Sequence, residues 1–278
     1  MSENLMMAYL YDLIQNKLHS CGYDIMVVYY ESEKDDTSNL ERIIRMKKVD
    51  GFISLRLELT NRETQLINNG SFPYICIMNA ASIVRKDINY VFSDSGYGGY
   101  LAGKFFAQFT NYQKVYVSVV EEQSDNRRRY NGFLNGLYEN CSGMPQVQRL
   151  ECNLSVRSGY ECVMRQKEFF ENKKLAIFCY CDVIALGMLN ALKRLNLSVP
   201  EDIQIIGMDG SPLCASFHPK LSTIKVDADA IVNGGCDFLI SQIANNNRIN
   251  DSKIHQWVKP SLELNETTLN KAADQLFA

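Results

Sequence analysis

No stretch of the sequence is long and apolar enough to span a bilayer as a helix, which excludes an ordinary helical membrane protein. An export signal is not legible either. The N-terminal apolar run sits among Glu3 and Asp12, without a basic n-region or a small-residue cleavage site. Positive charge is not in excess: Lys and Arg total 29 against 32 Asp and Glu, a net charge of −3. Apart from Arg127-Arg128-Arg129 the basic residues are dispersed, so no nucleic-acid-binding surface is expected of this chain. Histidine is scarce. His19, His218 and His255 lie far apart in sequence, none beside a Ser or Cys nucleophile pattern, and His218 before Pro219 reads as a loop residue. G-x-S-x-G, phosphate-loop, H-E-x-x-H and paired Cys/His patterns are missing, and the lone Gly98-Gly99 lacks nucleotide-loop spacing. Catalysis, a metal site and a cofactor are therefore not expected. Proline, at 6 residues, is sparse, and no low-complexity linker or internal repeat divides the chain.

What is present is an ordinary globular composition. The 278 residues are 46% hydrophobic and 22% charged, enough for one large or two medium domains. Nine cysteines, an odd number, lie mostly in apolar segments such as Ile75-Cys76-Ile77 and Phe178-Cys179-Tyr180-Cys181. That placement suits buried free thiols in a reducing cytoplasm better than a disulfide framework. Cys179 and Cys181 would share one face of a strand, with no second pair to complete a metal site.

Helical periods alternate with short runs rich in β-branched and aromatic residues, the pattern of βα units on parallel sheets, so the fold class is α/β. Leu10, Leu13, Ile14 and Leu18 predict a helix stopping at Cys21-Gly22, followed by a strand over 24–29. A helix over 41–47, a strand over 50–54, a helix over 61–68 and a strand over 74–78 follow. A helix over 97–109 then presents Leu101, Ala102, Phe105 and Phe109 on one face. A second series has strands at 114–119, 147–150, 175–178 and 203–206, with helices at 127–138, 156–170 and 182–195. Two blocks imply two lobes, with a short or multiply crossed junction near 110–113. A doubly wound sheet normally opens on its central strand, whereas this chain opens on a helix. Deleting a central strand would leave backbone groups unpaired on both neighbours, so residues upstream of Met1 are expected.

Ligands of open α/β sheets bind beyond the carboxyl ends of the strands, and Gly207-Met208-Asp209 ends an apolar strand that begins after Val199-Pro200-Glu201-Asp202. Asp182 follows another strand and opens a helix, which favours helix capping for it over ligand contact.

Eight short motifs, in order, carry a resemblance to the LacI/GalR family of transcriptional regulators. They are Gly22-Tyr23-Asp24, Val49-Asp50-Gly51, Asp94 with Gly98-Gly99, Arg129-Tyr130-Asn131-Gly132-Phe133, and Cys181-Asp182-Val183-Ile184-Ala185-Leu186-Gly187. Val199 through Asp209, Pro219-Lys220-Leu221-Ser222-Thr223-Ile224 and Asn265-Glu266-Thr267-Thr268 complete the series.

The resemblance implies two doubly wound parallel-sheet lobes of the type I periplasmic-binding-protein kind, joined by three crossovers and holding a small-molecule effector in the cleft between them. It maps residues 1–111 plus 226–249 to the first lobe and 112–225 plus 250–278 to the second, with an extended crossover over 222–227. It also implies a cytoplasmic homodimer that contacts operator DNA only through a helix-turn-helix headpiece, absent here together with the first strand. The family's effector-contacting Arg falls on Arg129 and its hydroxyl-binding Asp on Asp209, a fork of donors and a bidentate acceptor suited to vicinal sugar hydroxyls. The bland alternatives are a solvated helix start for Arg129 and a loop-capping carboxylate for Asp209.

Cys181 stands where the family has Asn, Val226 where it has a polar residue, and Leu154 near a position that is often aromatic. These departures point to a smaller, less hydroxylated or more apolar effector, or to a degenerate site. Met6, Met7 and Asn79 are further candidates from the first lobe. Effector-biased closure of the lobes would transmit the signal. A solute-binding protein of a sugar transporter is the alternative function. The missing export signal, the cysteine usage and the Arg129 to Phe133 motif together with the Val199 to Asp209 stretch count against it.

Overall fold

The structure is a computed structural model describing residues 5–28, 38–55, 61–69, 72–78, 87–120, 124–139, 145–171, 173–212, 216–245 and 253–269. The chain divides into two compact units. One comprises Met1–Met6, Asp94–Val226 and Lys259–Ala278, and the other Met7–Ser93 and Asp227–Val258.

The larger unit is built on a six-stranded sheet. Its strands are β4 (Gln113–Val119), β5 (Val147–Cys152), β6 (Leu175–Cys179), β7 (Ile203–Asp209), β8 (Ser222–Lys225) and β10 (Ser261–Glu263). The order is β10-β8-β7-β6-β4-β5, every pairing parallel except β10 against β8. Parallel strands covered on both faces should be largely apolar on both, and the central strands β4, β6 and β7 are, while the edge strand β5 exposes Gln148, Arg149 and Glu151. Val115, Val117, Leu175, Ile177, Ile203 and Ile205 point to one core, where α6 (Val156–Arg165) and α8 (Asp182–Arg194) lie. Tyr116, Ala176, Phe178, Ile206 and Met208 point to the other, with α4 (Ser95–Ala107) and α5 (Ser124–Tyr138). Fully burying one such side chain stabilises by about 1.5–3 kcal/mol, so this two-faced sheet is the main source of the unit's stability.

α4 and α5 run in close contact because glycine lines their seam. A Cβ on Gly99 would overlap the carbonyl oxygen of Arg129, and one on Gly132 would overlap that of Gly96. Phe133 fills the core below, fully buried. Asp94 caps α4, accepting from the Tyr97 N–H at 3.1 Å. The Ser/Thr tail is structural as well. The Thr267 hydroxyl donates to the Ile205 carbonyl at 2.7 Å and accepts from the Ser222 N–H at 2.8 Å, closing the sheet at β7 and β8.

The smaller unit has a four-stranded parallel sheet of order β1-β2-β3-β9, made of Phe52–Ser54, Tyr74–Met78, Tyr90–Ser93 and His255–Val258. With it lie α1 (Leu5–Ser20), α2 (Ser38–Arg45), α3 (Asn61–Asn69) and α9 (Ala228–Ala244). Gly235 of α9 sits against Ile75 and Ile77, while Tyr74, Cys76, Tyr90 and Phe92 form the opposite core with Ile67.

Several expectations are corrected. Residues 24–28 form no strand, and Met26, Val27 and Val28 are exposed. β-branched composition does not make a strand without a ladder partner, and none of the described strands pairs with this segment. The chain passes from one unit to the other between Ser93 and Asp94, where the expectation was 110–113, because α4 shares its glycine seam with α5. Residues 255–258, expected in the second lobe, are β9 of the four-stranded sheet. The helix expected over 156–170 breaks at Gln166 into α6 and α7 (Lys167–Phe170).

Candidate functional site

The candidate site lies at the carboxyl ends of the parallel strands of the larger unit, and Asp209 is its first element. As the last residue of β7, Asp209 has φ 119° and is followed by Gly210 at φ 73°, which bends the chain sharply out of the ladder. A non-glycine residue in that region costs about 1–3 kcal/mol and persists only where its surroundings over-determine it. The Val226 N–H donates to the Asp209 carbonyl at 3.1 Å. Lys225 is the ladder partner of Asp209, and its Nζ lies 3.5 Å from Glu263.

Arg129 is the second element. α5 begins at Ser124, three residues before its expected start, which places Arg129 in the second turn and 1% exposed, so the solvated reading does not hold. A buried guanidinium requires paired charge and stacked surface, and both are supplied. Its Nη2 lies 2.7 Å from an Asp125 carboxylate oxygen and 3.9 Å from one of Asp209. Nη1 donates to the Tyr180 carbonyl, and Cζ sits 4.2 Å from the centroid of the Tyr180 ring, a cation–π contact. Burial would lower the Arg129 pKa, but Asp125 above all, with Tyr180, Asp209 and Tyr116, holds it above its ordinary value. Nε has no hydrogen-bond partner among the described residues.

The Asp209 carboxyl is pushed up to about 8, chiefly by burial; Arg129 opposes the shift while Asp182 and Asp125 add to it. Its side chain keeps 19% exposure, against 1% for Asp125 and Arg129. Asp209 is thus the acceptor that the cluster leaves most open.

Asp182 neither caps α8 nor stands free for a ligand. It is the first residue of α8, after the N-cap Cys181, and its carboxylate accepts from the Ser211 N–H at 2.8 Å and the Thr223 hydroxyl at 2.6 Å. Gly207 makes room for it, since a Cβ there would overlap the carboxylate. Cys181 is buried next to the cluster, and burial pushes its thiol well above the ordinary range.

Val226 is half-buried beside Asp209 through its backbone, and Leu154, two residues past β5, is 43% exposed. Met6 is buried and Met7 half-buried in the first turn of α1, while Asn79 lies outside the described residues. The structure thus brings together Arg129, Asp209, Cys181 and the backbone of Val226. Sequence reasoning missed Asp125 and Tyr180. The signal for Asp125 was its i, i+4 spacing to Arg129; Tyr180 gave none.

Among the described residues no group of three or more His, Cys, Asp or Glu is placed to hold a metal, and no helix is long and apolar enough to cross a membrane. A family model described as a periplasmic binding protein-like domain matches residues 111–268, which include the whole Arg129 and Asp209 cluster.

The chain belongs to the periplasmic binding protein-like domain family.

The curated relatives it resembles include transcriptional repressors. The HTH-type transcriptional repressor PurR of Mannheimia succiniciproducens is 27% identical over 243 residues, 87% of this chain and 72% of that protein. The fold is shared with a LacI family transcriptional regulator of Enterococcus faecium solved with bound ribose, at TM-score 0.80, 21% identity, and coverage of 95% of this chain and 94% of that one. Transcription regulator CcpA of Lactococcus lactis matches at TM-score 0.79 and 17% identity, covering 96% and 95%. Taken with the motif order, these place the chain as the ligand-binding domain of a LacI-type regulator in the periplasmic binding protein-like family.

Proposed function

We propose that the carboxyl-end rim of the six-stranded sheet is the effector site, with Arg129 and Asp209 reading a small molecule and Cys181, Leu154 and Val226 shaping its apolar side. The observation that carries this reading is a guanidinium buried to 1%, held by Asp125 and stacked on Tyr180, with the less buried acceptor Asp209 at a strand end beside it. Convergent polar groups at such a position are the usual signature of a ligand site in an α/β fold.

The effector biases the protein between states of different operator affinity, as any ligand with differential affinity for two states must. Met6, Met7 and Asn79 are further proposed contacts. The work of this site is recognition, not catalysis. The protein acts in the cytoplasm as a homodimer, and operator contact belongs to an N-terminal helix-turn-helix whose half-site spacing would follow dimer symmetry.

The test is a thermal-shift screen of neutral pentoses, hexoses, nucleosides and nucleobases, starting with D-ribose because a structural neighbour was solved with it. A ligand at a hundred times its Kd adds about 2.7 kcal/mol to stability, a readily measured shift. The reading requires a compound whose shift disappears in Asp209→Asn. A compound that stabilises both forms equally would place the site elsewhere.

A further inference from the structure

We propose that Cys152 and Cys162 form a reversible disulfide when the protein meets hydrogen peroxide, a modification site that stands apart from whatever the rim binds. Cys152 is the last residue of β5, and Cys162 lies on α6, which packs on that strand. Both side chains enter the same core. There the Cys152 thiol donates a hydrogen bond to the Cys162 sulfur. Two sulfurs in contact, one on a strand and one on the helix covering it, are within reach of the disulfide bond length of about 2.05 Å by side-chain rotation.

The surroundings divide the roles. Arg165 and Gln166 follow Cys162 by three and four positions, so the helical turn brings both to its side. Gln166 donates through Nε2 to the Cys162 sulfur at 3.7 Å. The hydrogen bond from Cys152, joined by Arg165 and Gln166, holds the Cys162 thiol below its ordinary value against the effect of burial, whereas that same bond pushes Cys152 up. Cys162 is therefore the nucleophile and Cys152 the resolving thiol. Ser158 supports the second role: its hydroxyl oxygen accepts from the Asn153 N–H at 2.8 Å, which leaves its proton for the Cys152 sulfur. The other thiols of this core are turned elsewhere. Cys179 donates to Met188 Sδ at 3.6 Å, and Cys181 lies beside Asp209.

The Cys162 thiolate attacks one peroxide oxygen, the O–O bond breaks, and hydroxide leaves and takes up a proton, giving a sulfenic acid and water. The Cys152 sulfur then attacks the Cys162 sulfur, the S–O bond breaks, and a second water leaves as the disulfide forms. In sum two thiols lose two hydrogens and one peroxide becomes two waters. Each cysteine is 1% exposed, so the oxidant enters by local opening of the sheet edge. Among the described strands β5 pairs with β4 alone, and Glu151, Asn153, Leu154 and Gln166 around the pair are exposed. Such an edge opens at lower free energy than a central strand. Peroxide, close to water in size, needs a smaller opening than iodoacetamide. The bond would close 152–162 into a ring that contains the turn between β5 and α6.

The test is peptide mass mapping of the whole chain, reduced, freed of reductant, exposed to hydrogen peroxide at neutral pH while folded by circular dichroism, then alkylated in urea. Trypsin cuts after Arg149, Arg157 and Arg165, so the bond joins two separate peptides, 150–157 and 158–165. The expected product is this cross-linked pair, two hydrogens lighter than its parts and reversed by dithiothreitol. It should exceed oxidation of Cys76 and Cys236, buried thiols of the other unit, by about tenfold or more. In Cys152→Ser, dimedone should trap a sulfenic acid on Cys162, and in Cys162→Ser, Cys152 should stay reduced. A pair that stays reduced in wild type, or a bond from either cysteine to Cys179 or Cys181 instead, would overturn the proposal. So would a folded Cys152→Ser without the adduct on Cys162, or an adduct on Cys152 in Cys162→Ser. The wild-type map needs no variant and decides alone if neither serine variant folds.

Discussion

Replacing Asp209 with asparagine should make the protein more stable relative to wild type as pH rises, because the native fold holds this carboxyl protonated up to about 8. In the unfolded chain an aspartate titrates near ~3.9, so between those values the unfolded state has released a proton that the native state retains. The unfolded state then binds fewer protons, and the stability of wild type falls with rising pH by up to about 1.4 kcal/mol per unit for this one group. The contribution is complete below the unfolded value and lost as pH rises through the folded one. With 19% of the side chain exposed, water trims the effect. We expect the difference between Asp209→Asn and wild type to grow by about 2 kcal/mol from pH 5 to pH 7.5. Urea melts at several pH values measure it, with m-values checked for constancy. Far-UV circular dichroism is the suitable probe, because the single tryptophan, Trp257, sits on β9 in the other unit. A difference that stays flat with pH, or shrinks, would show Asp209 to be an ionised partner of Arg129 and refute the reasoning.

Removing Asp125 by Asp125→Ala leaves a guanidinium that is 1% exposed without its closest counter-charge, and should cost about 3–5 kcal/mol in the same melts. Combining it with Arg129→Met should recover part of that loss, and strict additivity would contradict the pairing. Gly132→Ala sets a methyl against the Gly96 carbonyl, so it should destabilise by about 1–3 kcal/mol through separation of α4 and α5; an unchanged melting temperature would show that the seam is not tight. Of the seven described cysteines only Cys21 is exposed, so brief iodoacetamide treatment of native protein should label Cys21 and spare Cys76, Cys152, Cys162, Cys179, Cys181 and Cys236, as read by peptide mass.

The sequence made the six-stranded unit largely legible, because β6 is a continuous apolar run and β4 and β7 are mostly apolar, with both faces of these central strands buried. The short strands β3, β9 and β10 were not legible. Their pairing is non-local, as where Tyr90 meets His255; β3 and β9 mix polar with aromatic residues, and β10 is only Ser261-Leu262-Glu263. The opposite error at 24–28 has the same origin: propensity was present and a partner strand was not.

At the site, Arg129 and Asp209 were readable, one from a motif and the other from its place at a strand end. Asp182 was misread because capping is a rule of adjacent residues, whereas its true partners Ser211 and Thr223 lie 29 and 41 positions away. The glycine motifs were visible without their meaning, which depends on a backbone brought close by the fold. Only with α4 against α5 do Gly99 and Gly132 become contact residues.

The most direct measurement is a crystal structure of the chain with the compound from the neutral panel that stabilises it most. The account predicts ligand donors within about 3.2 Å of the Asp209 carboxyl, with Arg129 still held by Asp125. Ligand density away from the ends of β6 and β7, with no contact to Asp209 or Arg129, would contradict it.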